Sequence, residues 1–109
     1  MMFSITPAAN KYILKKGSAI KVYLELYQSA GGWCGSKTVS SRIPTVRLGE
    51  PDIGEKDYFL IEENDGIKIW YAKNIRREVE GQAIIIDLRK IFLTNEITIT
   101  GAKFNLTTT

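Results

Sequence analysis

Histidine is absent from the 109-residue chain and cysteine occurs once, at Cys34. The first absence removes imidazole acid–base catalysis, Ser-His-Asp and Cys-His nucleophile systems, and every histidine-containing metal site from a single chain. The second removes an intrachain disulfide and a Cys-x-x-Cys zinc site, so all thiol chemistry falls to Cys34. No apolar run approaches the roughly 18 to 20 residues that a membrane span requires. The first ten residues lack the apolar stretch of a signal peptide. The expected compartment is the cytoplasm, where a reducing environment suits an unpaired thiol. Asn105-Leu106-Thr107 matches a glycosylation sequon, which without a secretion signal reads as a chance match.

What is present is ordinary for a folded protein, with hydrophobic residues at 44% and charged residues at 25%. The length fits one small domain, expected over residues 1–104, with a flexible tail over 105–109 that carries a single apolar side chain, Leu106. Charge is uneven along the chain. Residues 1–49 hold seven basic and one acidic side chain, residues 50–65 one basic and seven acidic, and residues 66–109 seven basic and four acidic. The acidic stretch, Glu50 to Asp65, lacks the spacing of a calcium loop and is broken by Pro51, Gly54 and the apolar Tyr58-Phe59-Leu60-Ile61. It reads as a solvated loop and strand edge. The net charge of +3 is too slight to imply a nucleic-acid binder, and Arg76-Arg77 and Arg89-Lys90 read as solvated turn ends.

One helix is well marked. Thr6 is its N-cap, Pro7 its first position and Gly17 its stop, with Ala8, Ala9, Tyr12 and Ile13 on one apolar face. Strands follow. Ile20, Val22, Leu24 and Leu26 alternate with Lys21, Tyr23, Glu25 and Tyr27, the period of a half-buried strand, and a loop is expected from Ser29 to Ser36. Pro44 to Leu48 reads as a short strand. Tyr58 to Glu62 and Ile67 to Tyr71 flank the turn residues Asn64-Asp65-Gly66, a hairpin signature. Lys73 to Glu80 is expected to form a helical turn or two, Ala83 to Ile86 a strand covered on both faces, and Ile97 to Thr100 a last strand ended by Gly101. The fold class is therefore α+β and β-rich, with one N-terminal helix and a mixed, mainly antiparallel sheet.

The segment whose chemistry exceeds its packing value is Gly31-Gly32-Trp33-Cys34-Gly35. Glycine lets the backbone take positive φ and removes shielding side chains, so a sulfur placed there is open to a metal or an electrophile. The bland alternative is a cysteine that merely fills space beside a tight turn. Trp33 is expected to turn inward and Cys34 outward.

The order of these pieces resembles the HesB-like, or A-type iron–sulfur carrier, family over most of the chain. Members begin with a segment like Ile5-Thr6-Pro7-Ala8-Ala9 and a strand like Ile20 to Leu26, followed by a glycine-flanked cysteine, here Gly32-Trp33-Cys34-Gly35. Later come a hairpin like Asp65 to Lys68, a strand and turn like Tyr71 to Asn74, and a Gly-x-x-Phe segment, here Gly101 to Phe104. The departure is at the end, where the carriers have Cys-Gly-Cys and this chain reads Asn105 to Thr109. The resemblance is greater to the branch of HesB-like proteins and selenoproteins that lacks that tail and keeps a Cys-Cys or selenocysteine pair in the glycine loop. Trp33 occupies the first place of that pair.

The resemblance implies iron–sulfur cluster biogenesis or iron binding, by a protein degenerate as a carrier. Cys34 would be the metal- and cofactor-binding thiol, supported by Gly31, Gly32, Trp33 and Gly35. A cluster takes four thiolates and one chain offers one, so iron or a cluster would be shared between chains or completed by oxygen ligands such as the 50–65 carboxylates. The implied partners are further copies of the chain and iron–sulfur assembly proteins, with neither membrane nor nucleic acid expected. Two other readings stand beside it. One is a redox-active thiol, with Lys37 the nearest basic residue to activate it. The other is an interaction domain using Trp33, Trp70 and Tyr71, although Trp70 and Tyr71 point to opposite faces of their strand and one of them should be core.

Overall fold

The computed structural model describes residues 2–30 and 38–104. In chain order the elements are β1 (Phe3–Ile5), α1 (Pro7–Lys15), β2 (Ala19–Ala30), β3 (Thr38–Leu48), a 3-10 segment (Ile53–Tyr58), β4 (Phe59–Asn64), β5 (Ile67–Ala72), β6 (Ile75–Arg77), β7 (Ile84–Ile91), β8 (Thr94–Thr100) and β9 (Ala102–Phe104). They make an α+β, β-rich fold with one α-helix among the described residues. A three-stranded sheet has the order β1-β7-β8, a four-stranded sheet the order β3-β2-β5-β4, and β6 pairs with β9. Pairing is mixed and mainly antiparallel: β1 with β7 and β2 with β5 are parallel, the other pairs antiparallel.

The core forms where the two sheets and the helix meet. Phe3, Ile84 and Ile86 enter it from the first sheet, Ile20, Val22, Val46, Ile67 and Ile69 from the second, and Ala9 and Ile13 from α1. Alternation along β2 and β5 sends every second side chain inward, which is why Ile67 and Ile69 are fully buried while Lys68 between them is exposed. The helix starts as its sequence dictates. Thr6 sits in extended conformation and its hydroxyl accepts a hydrogen bond from the Ala9 amide at 3.3 Å. Its buried stripe is narrower than the spacing suggested, since Ala9 and Ile13 are buried, Tyr12 is half-buried and Ala8 is exposed. A nine-residue helix that gives two buried side chains, Ala9 and Ile13, to the core needs only that width.

The Asp65-Gly66 turn is a two-residue hairpin with both φ angles positive, 49° and 83°, which glycine and aspartate tolerate better than most residues. Gly101 also requires its glycine: φ is 82° where the chain passes from β8 to β9.

Several expectations are corrected. Lys73 to Glu80 holds the strand β6 rather than helix: Ile75 is buried and pairs with Phe104, while Val79, four residues on, is 51% exposed and so defines no helical stripe. Ser29 and Ala30 belong to β2, and β3 begins at Thr38 rather than Pro44, because the two strands pair continuously from Ile20↔Leu48 to Ala30↔Thr38. Pro44 is tolerated inside β3 because β3 is an edge strand, where a missing donor breaks the fewest ladder bonds. Ile84-Ile85-Ile86 is not covered on both faces: Ile84 and Ile86 are buried, and Ile85 is 43% exposed. Among the described residues no helix is long and apolar enough to cross a membrane. The expected tail, 105–109, lies outside the described residues.

Candidate functional site

The sequence places its candidate chemistry on Cys34 with Gly31, Gly32, Trp33 and Gly35, and these five residues lie outside the described residues. The described chain fixes what carries them. With Ser36 and Lys37 they stand in sequence between the last residue of β2 and the first of β3. Among the described residues β2 pairs with β5 over Ala19–Val22 and with β3 alone from Tyr23 to Ala30. Eight residues of a two-stranded ribbon extend roughly 26 Å at strand rise. The thiol segment therefore follows, in sequence, a ribbon whose base is anchored in the sheet and whose far half has no third strand among the described residues.

The base of that ribbon is cross-linked by polar side chains. Arg47 on β3 donates from Nε to the Tyr23 hydroxyl at 2.9 Å and from Nη2 to both Glu25 carboxylate oxygens at 3.3 and 3.4 Å. The Thr45 hydroxyl donates to Glu25 at 3.3 Å, and Lys21 lies 4.9 Å from the centre of the Tyr23 ring. The hydrogen bond to Tyr23, together with the nearby Glu25 charge, holds the Arg47 guanidinium above its usual pKa, so it is a fixed cation at every relevant pH. Exposed pairs of this kind contribute little each. Together they tie β3 to β2 near the base of the ribbon.

The acidic stretch does not assemble into a site. Among the described residues no group of three or more Asp, Glu, His or Cys side chains is placed to hold a metal ion. Glu50 pairs with Lys56 at 3.5 Å. Glu62 departs from the expected solvated role: it is half-buried, and its two oxygens accept from the backbone amides of Met2 at 2.9 Å and Phe3 at 3.1 Å. Beside it, buried Asn64 donates to the Phe3 carbonyl at 2.9 Å. These two side chains of β4 clasp β1, which is a structural duty.

The interaction reading is corrected in part. Tyr71 packs into the core, its ring 5.3 Å from that of Phe3, as expected of one member of the pair. Trp70 is not a free contact surface either. It is 8% exposed on the opposite face, with the Lys56 ammonium 5.2 Å from its ring centre. The basic pairs are engaged locally as well: Arg76 donates to the carbonyls of Lys73 and Ile75, and Arg89 pairs with Glu96 at 3.4 Å.

Two features escaped the sequence reading. An open cleft of about 470 Å³ lies between β3 and β8, and the β7–β8 turn presents Phe92 and Leu93 to solvent. The cleft has no local sequence signal, because it is made by two strand edges from different sheets. The turn does carry a sequence signal: two large apolar residues between two strands, with no glycine or asparagine to explain them.

Residues 1–102 match the model of the CC/Se motif containing family. No curated protein matches the chain. Among solved structures, that of Escherichia coli SufA, described as involved in biosynthesis of iron-sulfur clusters, is 18% identical, with 91% of this chain and 84% of that chain covered at a TM-score of 0.41.

Proposed function

The chain belongs to the CC/Se motif containing family, and on that premise we propose that it is a HesB-like protein of iron–sulfur cluster biogenesis whose chemistry rests on the thiol of Cys34. One observation carries the reading. The family is described by a CC/Se motif, and Cys34, flanked in sequence by Gly31, Gly32 and Gly35, is the only cysteine of this chain with which such a motif can be met. The ordered segments from Ile5-Thr6-Pro7 to Gly101-Ala102-Lys103-Phe104 support the HesB-like assignment. Residues 1–104 act as one domain in this proposal, and the compartment is the cytoplasm.

The donor set of a single chain does not fit a cluster. A cluster takes four thiolates, one chain supplies one, and no metal-holding group of three appears among the described residues. Iron or a cluster is thus cargo shared between chains or with assembly proteins, not a group resident in one chain. That same arithmetic favours a second reading, in which Cys34 works without metal, as a thiolate that forms and releases a mixed disulfide with another thiol.

Anaerobic reconstitution of wild type and Cys34→Ser, followed by iron and sulfide analysis and a visible spectrum, tests both. Iron, sulfide and charge-transfer absorption present in wild type and lost in Cys34→Ser are the expected result. Identical null spectra in the two proteins overturn the cluster reading. A disulfide reagent that titrates Cys34 only after denaturant is added overturns the thiol reading as well.

A further inference from the structure

The β7–β8 hairpin ends in the most exposed large apolar side chains among the described residues, Leu93 at 96% and Phe92 at 94%. Neither the core nor the thiol reading uses them. Phe92 also has a φ of 54° at the first central position of a two-residue hairpin, where glycine is the ordinary occupant. A bulky aromatic is strained in that region. Fold stability alone would place glycine at 92, and what phenylalanine adds there is apolar surface held in solvent.

The charge around the tip has one sign. From Leu88 to Asn95 the hairpin carries Arg89 and Lys90 and no acid. Arg89 pairs with Glu96 at 3.4 Å, whereas Lys90 faces Asn95 across the hairpin and has no ion pair among the described residues. On α1, Tyr12 lines one cleft with Asn95 and Glu96, and the Lys16 ammonium lies 5.7 Å from its ring centre, also without an ion pair among the described residues. Asp87, the nearest carboxylate on β7, stands five residues back from Phe92, roughly 16 Å at strand rise.

The backbone of the tip suits an apolar medium, which penalises unpaired peptide groups. Ile91 pairs with Thr94, and the Thr94 hydroxyl donates to the Ile91 carbonyl at 2.8 Å. Lys90 stands two residues behind Phe92, about 7 Å at strand rise. An end buried roughly 5–10 Å deep, as interfacial elements are, thus brings Lys90 to the level of lipid phosphates. A protein partner for this convex end would need a complementary pocket, whereas a bilayer closes around any shape.

We propose that the β7–β8 hairpin docks on an anionic bilayer surface, with Phe92 and Leu93 entering the headgroup–acyl boundary and Lys90 held by lipid phosphates. Contact of this kind needs neither a membrane span nor a leader, so the proposal replaces the sequence expectation that no membrane is a partner. Two inserted side chains and so few cations give reversible binding. This inference does not rest on Cys34, and its readout involves no thiol.

Flotation of the full chain through a density gradient, with vesicles of phosphatidylcholine alone and vesicles of equal parts phosphatidylcholine and phosphatidylserine, tests it. Wild type should float with the anionic vesicles and much less with the neutral ones. The double variant Phe92→Ser with Leu93→Ser should bind at least about tenfold more weakly at an unchanged circular dichroism spectrum. Lys90→Gln should weaken binding to the anionic vesicles about fivefold, the share of one cation at such a surface, and leave the neutral ones unaffected. Phe92→Gly should hold or raise the melting temperature while losing the binding, which separates a docking residue from a folding one. Leu93→Trp in a Trp33→Phe background should gain blue-shifted emission with the anionic vesicles and be quenched by lipids with brominated acyl chains. Wild type that floats with neither composition overturns the inference, as does binding indifferent to the tip variants. Flotation that responds to Lys90→Gln but not to the double variant would mean adsorption by charge without insertion, and overturns it too.

Discussion

Thr6 shows how one hydroxyl joins a local signal to a distant strand. Its oxygen accepts from the Ala9 amide to cap α1, and its proton goes to the Asp87 carboxylate on β7 at 2.8 Å. Asp87 accepts a second hydrogen bond from the Leu88 amide at 2.7 Å. The Thr6 hydroxyl first, and the Leu88 amide second, favour the ionised carboxylate and hold Asp87 below its usual pKa. A carboxylate with a lowered folded-state pKa stabilises the fold at pH above its unfolded value, and that contribution is lost as pH falls through the folded value. Asp87→Asn should therefore lower the melting temperature at neutral pH. The gap between variant and wild type should close in acid, below the ordinary carboxylate range. A gap that stays constant across thermal scans from neutral to strongly acidic pH would show that the ionised carboxylate is not what matters.

At the scale of elements, the parts of the chain legible in the sequence are those fixed by local rules. Thr6-Pro7 at the helix start, the alternation from Ile20 to Leu26 and the Asp65-Gly66 turn each follow from a backbone or packing requirement that lies within a few residues. What was not legible depends on partners far along the chain. β6 is a strand because Ile75 meets Phe104 on β9, and β3 runs back to Thr38 because β2 pairs with it throughout. The candidate site divides in the same way: Cys34 was legible as the lone thiol, whereas the β3–β8 cleft exists only once two sheets bring their edges together.

The 3-10 segment shows the same dependence. It brings Lys56 over the Trp70 ring and turns a residue of the outer sheet face into a covered one. Lys56→Ala, in a Trp33→Phe background so that Trp70 alone emits, should shift the emission to longer wavelength and increase quenching by acrylamide. The loss of stability should be small, about 0.5–1 kcal/mol, the magnitude of an exposed cation–π contact. Unchanged emission and quenching would mean that the sheet, not Lys56, shields the indole.

Taken whole, the two larger sheets among the described residues meet at β1 as well as in the shared core. β1 pairs with β7 in one sheet, and on its other side it meets β4 of the second sheet through side chains: Glu62 accepts from the Met2 and Phe3 amides, and Asn64 donates to the Phe3 carbonyl. Phe3 itself sits in the shared core, 2% exposed, and touches the ring of Tyr71 from the second sheet. The clasp is therefore a route by which the opening of one sheet is felt by the other. Replacing both side chains by alanine strands two amides and a carbonyl in a region that is part-buried or buried, at about 1–3 kcal/mol for each group left without a partner. With 1 kcal/mol worth about 4–8 °C in a domain of this size, Glu62→Ala with Asn64→Ala should lower the melting temperature by at least about 12 °C. Coupling makes the more specific forecast. In a Trp33→Phe background, where Trp70 of the second sheet alone emits, its fluorescence and the far-ultraviolet signal of all strands should melt together, as a two-state domain requires. In the double variant the two curves should separate, because the sheets then share only their apolar contacts. Coincident curves in a destabilised variant would mean that the core alone couples the sheets and that the clasp contributes stability without cooperativity.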